Sequence, residues 1–104
     1  MASGKAQRRT GSFIATGSAL TIAGEKVGFA PKSVHLYDID GNVTMKWFDS
    51  MDDGFGQKTK DTGSNTTDIE LITSQGISAT ATGFSVGTDS VNTAGNRVLY
   101  EVWG

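Results

Sequence analysis

Apolar and polar residues alternate along this chain with the period of a β-strand, and the alternation is clearest on either side of Asp40-Gly41. That pair suits a two-residue type I′ turn, which predicts a hairpin from Val34 to Phe48. With Asp40 and Gly41 as the loop, Ile39 faces Asn42, Asp38 faces Val43, Tyr37 faces Thr44, Leu36 faces Met45, His35 faces Lys46 and Val34 faces Trp47. One face then collects Val34, Leu36, Val43, Met45 and Trp47, and the other His35, Tyr37, Ile39, Thr44 and Lys46. An apolar face opposite a mixed one is the signature of a sheet with one side on a core.

The same reading extends in both directions. Phe13 to Ile22 is a β-prone run interrupted by Gly17, which predicts one or two strands around a kink or bulge. A turn follows at Ala23-Gly24-Glu25-Lys26, and Val27 to Val34 enters the next strand through Pro31, which holds Ala30 extended. Asp49 to Asp68 is acidic and rich in Gly, Thr, Asn and Ser, with only Met51 and Phe55 as sizeable apolar residues, and is expected to be a long loop. Ile69 to Thr73 and Ile77 to Ala81 are further short strands. Gly83 to Trp103 closes the pattern as a strand (Phe84, Val86), a polar turn from Gly87 to Asn96, and a strand in which Val98, Tyr100 and Val102 face the core. No helical stripe outlasts one turn. The prediction is an all-β fold, a β-sandwich or jelly roll of about seven to eight short antiparallel strands.

Composition narrows this. A chain of 104 residues makes one domain, burying roughly two-thirds of its unfolded surface, and 14 glycines against one proline suit short strands joined by turns. Without cysteine there is no disulfide, thiolate metal site or thiol nucleophile. No signal-peptide pattern opens the chain, and no run approaches the roughly 18 apolar residues of a membrane span. Lys5, Arg8 and Arg9 make residues 1–12 a basic segment, expected to be a flexible arm, ahead of an acidic body over 13–104. Three charges without interleaved aromatics do not suit nucleic acid.

Candidate chemistry is sparse. His35 is the only histidine and lies in a predicted strand opposite Lys46, more in keeping with a cross-strand residue than a ligand or base. Asp38-Ile39-Asp40-Gly41-Asn42 begins like a calcium loop but lacks the bidentate glutamate, and the hairpin accounts for it better. Asp49, Asp52 and Asp53 form a denser carboxylate cluster, read as a solvated acidic loop. Gly-x-Ser-x-Gly, the phosphate loop and the dinucleotide fingerprint are all missing. Asn42-Val43-Thr44 and Asn65-Thr66-Thr67 match the glycosylation acceptor pattern, which matters only in a secreted chain. The expectation is a protein that is not an enzyme and uses no metal or cofactor.

Thr16-Gly17-Ser18, then Val27-Gly28-Phe29-Ala30-Pro31-Lys32-Ser33-Val34, then Trp47, and finally Gly83-Phe84-Ser85-Val86-Gly87-Thr88-Asp89 with Asn92, Gly95 and Tyr100 form a recognisable succession. Over Thr16 to Trp103 the chain resembles a small β-module recurrent in virion proteins of tailed bacteriophages, found in head decoration or cement proteins and in tail-fibre or baseplate proteins. The resemblance implies that Gly28, Phe29, Pro31 and Val34 set the first core strand, and Gly83, Phe84, Asp89, Asn92 and Gly95 the last turn. Because the module fills nearly the whole sequence, it implies a stand-alone decoration protein assembled in the host cytoplasm onto the outer capsid surface, partnered by the major capsid protein and by itself, as a trimer in preference to a dimer. Lys5, Arg8, Arg9, Asp49, Asp52, Asp53 and Phe55 are the expected contact residues. The alternative is a tail-fibre or baseplate module that binds a host-surface glycan.

Overall fold

The computed structural model describes residues 7–63, 66–89 and 91–104, and for 61–63 and 66–68 the backbone alone. The predicted hairpin forms β3 (Ser33–Asp38) and β4 (Val43–Phe48), paired Val34 with Trp47, His35 with Lys46, Leu36 with Met45, Tyr37 with Thr44 and Asp38 with Val43. Val34, Leu36, Val43, Met45 and Trp47 are all buried, as the alternation requires.

The turn itself is not type I′, which needs positive φ at both Asp40 and Gly41. The left-handed residue is Asn42, at φ 53°. What shapes the turn is the fully buried Asp38 side chain: its Oδ1 accepts from the backbone N–H of Asp40 (3.1 Å) and Gly41 (3.0 Å), and its Oδ2 from Asn96 Nδ2 (3.0 Å). Gly41 is needed for space: a Cβ there would lie 2.7 Å from Asp38 Oδ2. An acid resembling the start of a cation loop is thus consumed by the backbone.

Three further elements depart from expectation. The basic segment is a strand from Arg8 onward: β1 (Arg8–Ile14) pairs along its length with β8 (Arg97–Trp103), so a ladder partner, invisible to local composition, orders what reads as an arm. The stretch from Asp49 to Asp68 is a turn only as far as Gly54, after which β5 (Phe55–Gly63) and β6 (Thr66–Ala79) form a long hairpin. Its polar, threonine-bearing sequence lacks the apolar alternation of a core strand because much of the ribbon lies outside the core. The two short strands expected over 69–81 are one strand with a break in register, where Gly56 faces Ile72 but Phe55 faces Ile77. Gln75 (φ 60°) takes up the bulge, and Gly76 packs against backbone so closely that a Cβ would come within 2.6 Å of the Phe55 carbonyl oxygen.

β2 (Leu20–Ala23) and β7 (Gly83–Val86) complete one antiparallel sheet in the order β1-β8-β3-β4-β5-β6-β7-β2. The fold is all-β, a curled eight-stranded sheet of sandwich-like character. β7 and β8 are not partners of each other: β7 lies between β6 and β2, and β8 between β1 and β3. The last turn is therefore a crossing between the two halves of the sheet, as is the β1–β2 connection. The curl brings Phe13 of β1 to 6.5 Å from Phe84 of β7 and 6.4 Å from Tyr100 of β8, and Phe84 to 5.6 Å from Tyr100, ring centre to ring centre. Val34, Leu36, Met45, Ile77, Val86, Val98 and Val102 are among the other side chains of the core. Among the described residues the helical content is a 3₁₀ turn at Gly24–Lys26.

The two crossings lie side by side and are joined by Asn92. Its Oδ1 accepts from the N–H of Thr16 (3.1 Å) and Gly17 (3.3 Å), and its Nδ2 donates to the carbonyls of Ser18 (2.7 Å) and Gly87 (2.8 Å). Ala15 adds two backbone bonds, its N–H to the Asn96 carbonyl (2.8 Å) and its carbonyl to the Gly95 N–H (2.9 Å). Nearby, Asp89 forms a buried ion pair with Lys58 (3.2 Å) and accepts from the Val91 N–H (3.1 Å). Asn92 is buried and uses its amide in full. Truncation by Asn92→Ala strands two donors and two acceptors and is expected to lower the unfolding free energy by about 3 kcal/mol. Asn92→Asp, which keeps the acceptor but turns a carboxylate toward two carbonyls, should also destabilise. Urea denaturation at neutral pH measures both, and an unmoved midpoint in the alanine variant would refute this role.

Candidate binding face

Side chains that point away from the core form ladders across the other face of the sheet, and the register says which residues share a rung. One rung runs Ser12, Leu99, Tyr37, Thr44, Thr59 and Ile69 through β1, β8, β3, β4, β5 and β6; the next runs Thr10, Glu101, His35, Lys46, Gln57 and Leu71. Beyond the first lies the pair Ile14 and Arg97, and beyond the second Arg8, Trp103, Ser33 and Phe48. The part from β1 to β5 is hollowed into a groove of about 900 Å³, lined by the first rung as far as Thr59 and the second as far as Lys46, together with Arg8 and Arg97.

This surface is amphipathic. Tyr37 is 41% exposed and Leu99 38%, while Ile69 and Leu71, farther along on β6, are 66% and 58% exposed. Hydroxyl groups of Thr10, Ser12, Tyr37, Thr44 and Thr59 surround the apolar groups. Arg8 is tied to Glu101, its Nε donating at 2.6 Å, with a second contact through Nη2. Lys46 and Arg97 have no ion-pair partner among the described residues, so the groove carries a positive excess. His35 meets Trp103 edge-on at 4.6 Å, and partial burial, then the nearby Lys46 ammonium, hold its pKa below the ordinary 6.5, with Glu101 opposing.

The residues singled out from sequence fall in several places. Arg8 borders the groove; Arg9, on the opposite face, donates through Nη2 to the Glu25 carbonyl. Asp49, Asp52 and Asp53 are exposed in the β4–β5 turn, at the same end of the sheet as Arg8 and separated from it by β8 and β3, about 14 Å at ordinary strand spacing. Arginines and aspartates are thus on one end but not in contact. The Asp52 carbonyl accepts from Trp47 Nε1 (3.2 Å) and from the Phe55 N–H (3.2 Å), which holds the turn against the core. Phe55, expected to be a contact residue, is only half-buried but packs on the core. Lys5 and Asn65 lie outside the described residues. Among the described residues no three His, Cys, Asp or Glu side chains are grouped to hold a metal ion.

Apart from Arg8, the groove residues are not among the contact residues expected from sequence. The mixed face of the β3–β4 hairpin was the available signal, but Arg97, Leu99 and Glu101 join it only through the pairing of β8 with β3, which local alternation does not disclose. Compared with family models, with curated proteins and with solved structures, the chain matches none of them.

As the only histidine, His35 gives a single imidazole titration. Its NMR midpoint is expected below 6.5, rising toward that value in Lys46→Gln and falling further in Glu101→Gln. Since the unfolded chain binds this proton more readily, His35 contributes to stability above pH 6.5, and the contribution is lost as pH falls through the folded midpoint. A midpoint at or above 6.5, or one unmoved by Lys46→Gln, would contradict the assigned causes.

Proposed function

We propose that this chain is a virion structural protein of a tailed bacteriophage, a decoration or cement protein that binds the outer surface of the head and bridges capsomers. The observation that carries this reading is the work done by the residues of the resemblance. Asn92 and Gly95 tie together the two crossings, Asp89 braces the β7–β8 crossing through Val91 and pairs with Lys58 of β5, and Phe84 and Tyr100 build the aromatic core. The shared pattern is therefore one that specifies a fold, and what remains is an open sheet face and a charged end suited to contact.

The role is mechanical. Contacts made only in the assembled particle raise the free energy of separating its subunits, and a copy touching two or three capsomers makes its later contacts intramolecular. Arg8 and Arg9 on β1 and Asp49, Asp52 and Asp53 on the β4–β5 turn are the proposed contacts with the major capsid protein. Exposed Phe48 at that end adds apolar area. Self-association, as a trimer in preference to a dimer, would cover exposed apolar residues such as Ile69 and Leu71. The second reading, a tail-fibre or baseplate module that binds host glycan, draws its support from the hydroxyl-rich groove beside Tyr37.

Heads lacking this protein are expected to lose integrity at a lower temperature than complete heads and to regain the difference when purified protein is added. Arg8→Glu with Arg9→Glu should weaken that rebinding about tenfold or more. Heads that neither bind the protein nor gain heat resistance would remove this reading, and imaging of labelled protein on the tail would favour the second.

A further inference from the structure

The groove over β1, β8, β3, β4 and β5 calls for an occupant that matches its charge and groups. We propose that it binds an acidic oligosaccharide, a chain of sugars bearing carboxylate or sulfate groups. Tyr37 and Leu99 form an apolar bed at its centre for the C–H face of a sugar ring. Thr44 and Thr59, opposite each other on β4 and β5, supply hydroxyls that both donate and accept, as sugar hydroxyls do.

Lys46 and Arg97 bracket that bed. They stand two strands apart and four residues apart along the strand direction, which places their Cα atoms about 16 Å from each other. One small anion does not span that distance, whereas a polymer with repeated negative charges meets both cations at once. The groove crosses five strands, about 19 Å, enough for several sugar units.

Other occupants fit less well. A second copy docked face to face about a twofold axis would bring the positive excess of one groove against that of the other. An extended peptide gains affinity by pairing its backbone with a strand edge, and here it would lie across the face of strands already paired on both sides, apart from β1. Side-chain hydroxyls and a tyrosine ring suit sugar hydroxyls better than they suit peptide amides.

The test uses the intact protein and four probes: a uronic-acid tetrasaccharide, a sulfated tetrasaccharide, the uronic-acid chain with its carboxyls reduced, and a tetraglutamate peptide. NMR titration is expected to show at least one acidic saccharide shifting the signals of Tyr37, Lys46 and Arg97, with binding weakened by added salt. The reduced saccharide should bind at least tenfold more weakly. Lys46→Gln with Arg97→Gln, and separately Tyr37→Ala, should each lower affinity about tenfold or more with an unchanged circular dichroism spectrum. Should a variant unfold, the signals perturbed in the unaltered protein still decide the location.

The proposal is overturned if neither acidic saccharide binds at millimolar concentration, if shifts map elsewhere, if the reduced saccharide binds equally, if a folded Tyr37→Ala variant binds unchanged, or if tetraglutamate binds as tightly as the saccharides. This assay involves no capsid, and the heating assay no saccharide, so either proposal can fail alone.

Discussion

The two crossings that close this sheet are tied together by one buried side-chain amide, helped by two backbone bonds of Ala15. Asn92 sits where the β1–β2 and β7–β8 connections pass each other, and its four hydrogen bonds join Thr16, Gly17 and Ser18 of one crossing to Gly87 of the other. A sheet of eight strands twists and curls through its own backbone sterics, but how its ends meet is set by specific contacts. Hydrophobic burial is non-directional and supplies the drive through Phe13, Phe84 and Tyr100 without selecting one closure. A buried amide with two donor and two acceptor positions to satisfy does select, because any other arrangement leaves polar groups unpaired.

The division between faces follows from that closure. With the aromatic cluster inside, Val34, Leu36, Val98 and Val102 have no contact with solvent to speak of, and their neighbours in sequence, His35, Tyr37, Leu99 and Glu101, are committed to the opposite side by the strand period. The resulting surface mixes rings, hydroxyls and cations on strands that, apart from β1, are ordered by neighbours on both sides, so its groups are held in fixed relative positions before any partner arrives.

How much was legible in the sequence depended on whether the signal was local. The β3–β4 register followed from two-residue alternation and could be read pair by pair, and the inward-facing Val98, Tyr100 and Val102 likewise. The type of turn could not, because Asp38 bends the chain through a carboxylate whose third partner, Asn96, is distant in sequence. Arg8 to Ser12 read as an arm because its ladder partner is the far end of the chain. Residues 55–63 read as loop because a polar ribbon beside the core needs no apolar alternation. The candidate groove suffered most, being a property of five strands at once: its polar lining is ordinary on any one of them and becomes a site only when β8 is set between β1 and β3.

That placement of β8 has a bearing on how the protein comes into being. β8, the latest of the described strands along the chain, is not an edge strand but lies between β1 and β3, pairing Arg8 with Trp103 and Ser33 with the same tryptophan. During synthesis β3 to β7 can pair successively as a meander, yet β1 has no neighbour until β8 emerges, and the Phe13, Phe84 and Tyr100 cluster cannot assemble before then. Folding is thus dominated by contacts distant in sequence, which is slow in proportion to the loop entropy those contacts must overcome. Until β8 is in place, the chain exposes the unpaired edge of β3 and its apolar face, the period in which a neighbouring copy is the competing partner.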